Sequence, residues 1–378
     1  MTPSLRPPSG NSAIVHAAIV HAIGIAAPDH DVHREFIAWA GEQIVDPRDR
    51  KLFARMADRS GIAHRWSVLP PTRDGGSPVM PGGFYACDPL PATAARMAIY
   101  AEHAPKLALA AIAALREQVA LDGITHLVVA SCTGFVAPGI DQIIARELGL
   151  SPHLERVLIG FMGCYAGVTA LRTASHIVRS EPEARVLVVA VELSTLHLSI
   201  AQALEPLLAM LQFSDGAAAA LMTSDIVGSE GCSESGAIAL GRSTSLALDE
   251  GRDLIQWRIG DRGFRMDLSG EVPHRLQETL SDPQVRAQLL GSEADALKHF
   301  AVHPGGRSIL DAVQRGLELD DIALEPSRAV LSDFGNMSSA TILFVLARMM
   351  RARLDGAGVA LAFGPGLAVE GIGFAPVA

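Results

Sequence analysis

The stretch Val157-Leu-Ile-Gly-Phe-Met-Gly-Cys164-Tyr-Ala-Gly-Val168 decides how this chain is read. Apolar residues lead into Gly160 and Gly163, and beyond them Val168, Leu171, Ala174 and Ile177 recur at helical spacing. The pattern is a strand, a tight turn and a helix, with Cys164 at or near the helix N-terminus. Helix dipole and free N–H groups there favour a thiolate over a thiol. A lone cysteine is ordinarily a small buried hydrophobe. The flanking glycines and the corner position weigh toward a nucleophile instead.

Further short runs rich in Val, Ile and Leu lie at 126–130, 156–159, 185–191, 299–302 and 329–331, most followed by a turn and a helical pattern. Runs this apolar suit strands buried on both faces. Their alternation with helices predicts an α/β fold with mixed sheets covered by helices. Two of them open corners like the first. In Phe300-Ala-Val-His303-Pro-Gly-Gly a strand ends at a histidine, and a helix follows through Leu310, Val313 and Leu317. In Val330-Leu-Ser-Asp-Phe-Gly-Asn336-Met-Ser-Ser-Ala a strand is expected to lead into Gly335, with Asn336 where a helix cap belongs. A lone His is more often structural, and a lone Asn more often a cap. Together the three residues sit where α/β sites collect, at the carboxyl ends of strands. A thiolate can carry an acyl group, an imidazole can pair with it and lower its pKa, and imidazole and amide N–H groups can stabilise a developing enolate.

Of 378 residues 49% are hydrophobic and 19% charged, which allows a large core and two domains or one duplicated one. The net charge of −10 argues against a nucleic-acid binder. Cys87, Cys132, Cys164 and Cys232 show neither CxxC nor metal-ligand spacing and read as free thiols in a reducing compartment. The apolar segment 13–27 is interrupted by His16 and His21 and is too short to span a bilayer; a buried strand at 19–26 is the better reading. With no transmembrane segment or stable membrane insertion expected, a cytoplasmic location follows. The Ser/Gly-rich stretch 224–241 is the best boundary, giving an N-terminal half, 1–228, and a C-terminal half, 229–378. No short-period repeat is visible.

Cys, His and Asn in this order also occur in papain-like proteases, but those place the Cys near the mature N-terminus in a C-G-S-C-W-like setting. Here Gly163-Cys-Tyr-Ala-Gly167, His303-Pro-Gly-Gly306, Gly335-Asn-Met-Ser-Ser339 and Phe363-Gly-Pro-Gly366 resemble the signature set of the type III polyketide synthases, the chalcone synthase-like family. Phe213-Ser-Asp-Gly-Ala-Ala218 and Thr125-His-Leu-Val128 are similar to that family too, and the resemblance runs from about Ile19 to Phe374.

The resemblance implies a thiolase-like fold, two similar halves forming a five-layered α/β/α/β/α sandwich. It implies a homodimer with malonyl-CoA and acyl-CoA as substrates and no metal or redox cofactor. Cys164 would carry the starter, while His303 and Asn336 would stabilise the enolate from malonyl-CoA decarboxylation. The pair Arg55 and Arg59, four apart on one helix face with Lys51 a turn earlier, would contact coenzyme A phosphates; the plain alternative is a solvated helix face. Gly305 and Gly306 would offer backbone N–H groups or clearance to the thioester, and Ser338 belongs to the same motif set. Phe213 matches one gatekeeper phenylalanine, and Met266 stands in place of the other. His197 replaces a cavity threonine and reads as a buried, hydrogen-bonded histidine. Cys132 reads as cavity wall, Ala137 takes the cross-dimer methionine position, and Trp257 replaces a small residue. These departures, with the run from Gly263 to Ser269, resemble bacterial members that extend fatty acyl starters into alkylpyrones or alkylresorcinols. The rival readings are a carrier-protein-dependent β-ketoacyl synthase and a non-catalytic acyl-CoA-binding protein.

Overall fold

The computed structural model describes residues 16–199, 203–225, 236–248, 251–291 and 294–377. Its strands are β1 (Ala18–Ala26), β2 (His30–Asp31), β3 (Trp66–Ser67), β4 (His126–Ser131), β5 (Glu155–Gly160), β6 (Arg185–Leu193), β7 (Asp215–Ser224), β8 (Ile238–Ala247), β9 (Ile255–Gly260), β10 (Gly263–Leu268), β11 (His299–Val302), β12 (Gly358–Gly364) and β13 (Ala368–Pro376). Its helices are α1 (His33–Gln43), α2 (Pro47–Asp58), α3 (Thr93–Arg116), α4 (Ile140–Glu147), α5 (Ala166–Ser180), α6 (Leu204–Met210), α7 (Val272–Ser281), α8 (Pro283–Leu290), α9 (Arg307–Gly316), α10 (Glu325–Phe334) and α11 (Thr341–Arg351).

Nine strands run in the order β11-β12-β13-β8-β1-β7-β6-β4-β5. The sheet is mixed, as expected: β4 is parallel to β5 and β6, and β11 to β12, while the other neighbours are antiparallel. The two halves of this array, β11-β12-β13-β8 and β1-β7-β6-β4-β5, meet only where Ala18–Val20 of β1 pair with Ile238–Leu240 of β8, so it folds into two stacked sheets. Side chains alternate along each strand. In β4, Leu127 and Val129 face an outer layer built on α3, while Val128 and Ala130 face the middle. In β12, Ala360 and Ala362 face the middle, while Val359 and Leu361 meet an outer layer of α7, α9 and α10. Between the sheets lie α5, which buries its Val168, Leu171, Ala174 and Val178 face, and α11, which is apolar nearly all round because sheet covers it on both sides. The result is the expected five-layered α/β/α/β/α sandwich, a thiolase-like fold. The abundance of Ala on the inner faces of β7 and β12 lets sheets and central helices approach closely.

Two strand expectations are corrected. The run 329–331 is helical, inside α10. Pro326 at its start and Gly335 (φ 70°) at its end bound a ten-residue helix, and a short apolar run alone does not distinguish helix from strand. Asn336 therefore follows a helix, not a strand. The run 156–159 is a strand but not one buried on both faces: β5 is the sheet edge, with Val157 and Leu158 exposed. The proposed junction between residues 228 and 229 lies outside the described residues, as does Cys232.

Candidate active site

The carboxyl ends of β4, β5, β6 and β11 converge. After β5 the chain turns through Phe161 (φ 56°) and Gly163 (φ 84°), reaching Cys164 two residues before α5 begins. A Cβ on Gly163 would lie 2.4 Å from Pro365 Cδ, so the Gly364-Pro-Gly366 turn presses directly on the nucleophile turn. Cys132, at the end of β4, braces the same turn. The Gly163 N–H donates to its Sγ at 3.0 Å, and its thiol donates to the Gly163 carbonyl at 3.5 Å. Burial holds the Cys132 thiol well above its ordinary pKa, and both contacts suit wall rather than nucleophile.

Asn336 is held on every side. Its N–H donates to Gln212 O at 2.8 Å and its carbonyl accepts from Ser214 N at 2.9 Å, clamping the segment that carries Phe213. Its Oδ1 accepts from Ser338 N at 2.9 Å, and its Nδ2 donates to Gly305 O at a long 3.4 Å. The last contact ties the asparagine to the His303-Pro-Gly-Gly turn. His303 follows β11, is 1% exposed, and has no hydrogen-bond partner on either ring nitrogen. Gly306 (φ 155°) lies under Gln212, whose Oε1 would sit 1.8 Å from a Cβ there and would have to swing aside for any side chain.

Burial works against the expected thiolate–imidazolium pair. Burial pushes the Cys164 thiol up to about 11, with Glu192 adding and hydrogen bonding from Ser338 and Asn336 opposing. Burial alone pushes His303 down to about 3. A dry pocket penalises either charge, against the pull of the helix N-terminus two residues away.

Cys164 opens on a cavity of about 420 Å³. Cys132, His197, Phe213, Trp257, Met266 and Ser338 line it with Cys164, whereas His303, Asn336, Gly305 and Gly306 do not. Lys51, Arg55 and Arg59 are exposed at α2 and its C-terminal cap, away from the cavity wall. Part of the wall is aromatic. His197 stacks on Phe264 at 4.2 Å, and Trp257 meets both edge-on at 5.4 and 5.7 Å. Because His197 Nδ1 accepts from Phe264 N at 2.9 Å, its Nε2–H is assigned as donor to Thr133 O at 2.6 Å. Burial lowers this histidine to about 3.

Three residues of the site were not singled out in the sequence. Glu192 of β6 is fully buried and accepts from Cys132 N, Thr133 Oγ1 and Ser339 Oγ, joining the nucleophile side to the Asn336 loop. Burial raises it to about 7. Arg65 donates to Met210 O and Phe213 O and so positions Phe213. Phe264 completes the aromatic wall. A single acid inside an apolar strand was the one visible signal, at Glu192.

Known proteins bear on this geometry. Residues 10–226 match the model for chalcone and stilbene synthases, N-terminal domain, and residues 240–378 match the model for their C-terminal domain. The chain is 33% identical over 369 residues, 94% of this chain and 91% of the relative, to "Alpha-pyrone synthesis polyketide synthase-like Pks18" of Mycobacterium tuberculosis. It is 34% identical over 265 residues, 67% of this chain and 66% of the relative, to "Type III polyketide synthase A" of Arabidopsis thaliana. The fold superposes with a TM-score of 0.85 on the C-terminal type III polyketide synthase domain of Steely1 from Dictyostelium, at 26% identity over 96% of this chain and 100% of that one. PKS-I of the brown alga Ectocarpus siliculosus gives 0.83 at 25% identity, covering 97% and 100%. Members of this family are condensing enzymes of the acyltransferase type that form C–C bonds. With matches to both domain models and a relative aligned along nearly its whole length, the chain belongs to the chalcone and stilbene synthases, the type III polyketide synthases.

Proposed function

We propose that the chain extends a fatty acyl starter with malonyl-CoA-derived units and releases an alkylpyrone or alkylresorcinol. The observation that carries this reading is Cys164 at the wall of a largely apolar cavity, with Asn336 and Ser338 beside its sulfur. The N-terminal half, 1–228, supplies the nucleophile and the C-terminal half, 229–378, supplies His303 and Asn336.

In this reading the neutral imidazole of His303, with both ring nitrogens free, accepts the thiol proton as acyl-CoA enters. The Cys164 sulfur then displaces coenzyme A from the acyl carbon, and the proton leaves on the released thiol. Malonyl-CoA follows. Loss of carbon dioxide leaves the C–C electron pair as an enolate, whose oxygen accepts from the imidazole N–H and from Asn336 Nδ2. The long bond from Nδ2 to Gly305 O is readily exchanged for that stronger partner. The enolate carbon attacks the Cys164 thioester, the C–S bond breaks and the sulfur leaves as a thiolate; that thiolate takes the extended acyl group back from coenzyme A, whose thiolate gains a proton from solvent, and the cycle repeats. Lys51, Arg55 and Arg59 receive the coenzyme A phosphates, and no metal or redox cofactor takes part. Two chains associate through the β5 edge, where Phe135, Val157 and Leu158 are exposed. The pyrone product is favoured by the relative named for alpha-pyrone synthesis.

The test is incubation of the purified protein with malonyl-CoA and acetyl-, hexanoyl-, palmitoyl- or 4-coumaroyl-CoA, read by mass spectrometry beside Cys164→Ala. Pyrone masses from palmitoyl-CoA in wild type and none in the variant are expected. Extension only with acyl carrier protein present overturns the reading.

A further inference from the structure

The β9–β10 hairpin forms a two-stranded sheet of its own, outside the nine-stranded array. It nevertheless carries Trp257, Phe264 and Met266 of the cavity wall. Among the described residues no strand ladder fixes its distance from the cavity, so side chains do. One set of these comes from the first turn of α3, remote from the cavity wall.

Thr93 clasps the hairpin turn. Its N–H donates to Asp261 O at 2.8 Å. Its hydroxyl accepts from Gly263 N at 2.8 Å and donates to Gly260 O. Arg96 lies beneath the same turn. Gly263 has φ 97°, and a Cβ there would sit 2.7 Å from Arg96 Nη1, so the turn rests on the guanidinium.

Arg96 is fully buried, and among the described residues no carboxylate forms an ion pair with it. A buried cation is costly unless other polar groups satisfy it. Here carbonyls do. Its Nε donates to Pro91 O at 2.9 Å, and its Nη1 donates to Leu196 O at 2.7 Å and to Leu198 O at 2.8 Å. The last two carbonyls flank His197, whose Nδ1 accepts from Phe264 N. One guanidinium nitrogen thus grips the main chain on both sides of the histidine that holds the hairpin. The guanidinium also lies over the ring of Tyr85, another wall residue, at 5.2 Å.

We propose that Thr93 and Arg96 are positioning residues that set the length of acyl chain the cavity admits, by holding the hairpin and His197 in place. The inference rests on the fatty acyl substrate proposed above. Neither residue lines the cavity. With the clasp released, Phe264 is free to draw back from His197 and the wall recedes. Added apolar room benefits only a chain long enough to fill it.

The test is calorimetric titration of hexanoyl-CoA and palmitoyl-CoA into the full chain carrying Cys164→Ala, which cannot be acylated, with and without Thr93→Val. Valine keeps the shape of threonine and removes both hydroxyl bonds. Palmitoyl-CoA is expected to gain on hexanoyl-CoA by at least about threefold, the size of one lost hydrogen bond. Hydrogen exchange of the hairpin, 255–268, should quicken with it. Arg96→Lys, which loses the planar fork, should move the ratio the same way, and it decides the matter should Thr93→Val not fold. An unchanged or reversed ratio overturns the proposal whether or not hairpin exchange rises, because a residue that only stabilises the fold affects both ligands alike. Failure of the Cys164→Ala chain to bind either acyl-CoA overturns the fatty acyl reading itself, and this inference with it.

Discussion

Trp257 donates its indole N–H to the carbonyl oxygen of Cys132 at 2.9 Å. With the His197 bridge between Phe264 N and Thr133 O, this bond fastens the β9–β10 hairpin to the end of β4. Part of the cavity wall therefore comes from a hairpin remote in sequence from the nucleophile.

Trp257→Ala should open that wall. The expected product mixture shifts toward longer starters and additional extensions, read by mass spectrometry across an acyl-CoA series. Trp257→Phe keeps most of the ring but not the hydrogen bond. It should leave product length nearly unchanged and lower stability by about 1 kcal/mol.

Because burial pushes the Cys164 thiol up to about 11, the free enzyme should be a slow target for alkylation at neutral pH. Site-resolved labelling by iodoacetamide is expected to climb about tenfold per pH unit from 7 to 10. A plateau near pH 7 would mean a preformed thiolate.

His303 gives a linkage prediction. Its folded pKa, about 3, lies below the ordinary histidine value of 6.5, so the unfolded chain binds a proton that the folded chain refuses. Its neutral burial costs nothing above pH 6.5, and stability is lost as pH falls from there toward 3. His303→Gln should remove one proton from the slope between pH 4 and 6, about 1.4 kcal/mol per unit. Urea unfolding of both proteins across that range measures it.

Gly163→Ala places a methyl group 2.4 Å from Pro365 Cδ at φ 84°. Overpacking and the left-handed backbone should together cost about 2–5 kcal/mol. Turnover should fall with stability, and thermal unfolding with product formation reports both.

The sequence by itself determined the α/β class, the strand-turn-helix corner at Cys164, the strand end at His303 and the family. The first three rest on local periodicity and on the glycines that flank the corners, the family on the resemblance of its motifs. It did not separate helix from strand at Val330-Leu331, because three or four apolar residues look alike in both; Pro326 and Gly335 held the answer. It could not show β5 at a sheet edge, since edge and centre differ only in what lies alongside. Tertiary structure alone decided the burial that pushes the Cys164 thiol up and the His303 imidazole down, because desolvation depends on every atom packed around a group and not on its neighbours in the chain. It alone brought Glu192, Arg65 and Phe264 to the site, through contacts that span dozens to hundreds of residues.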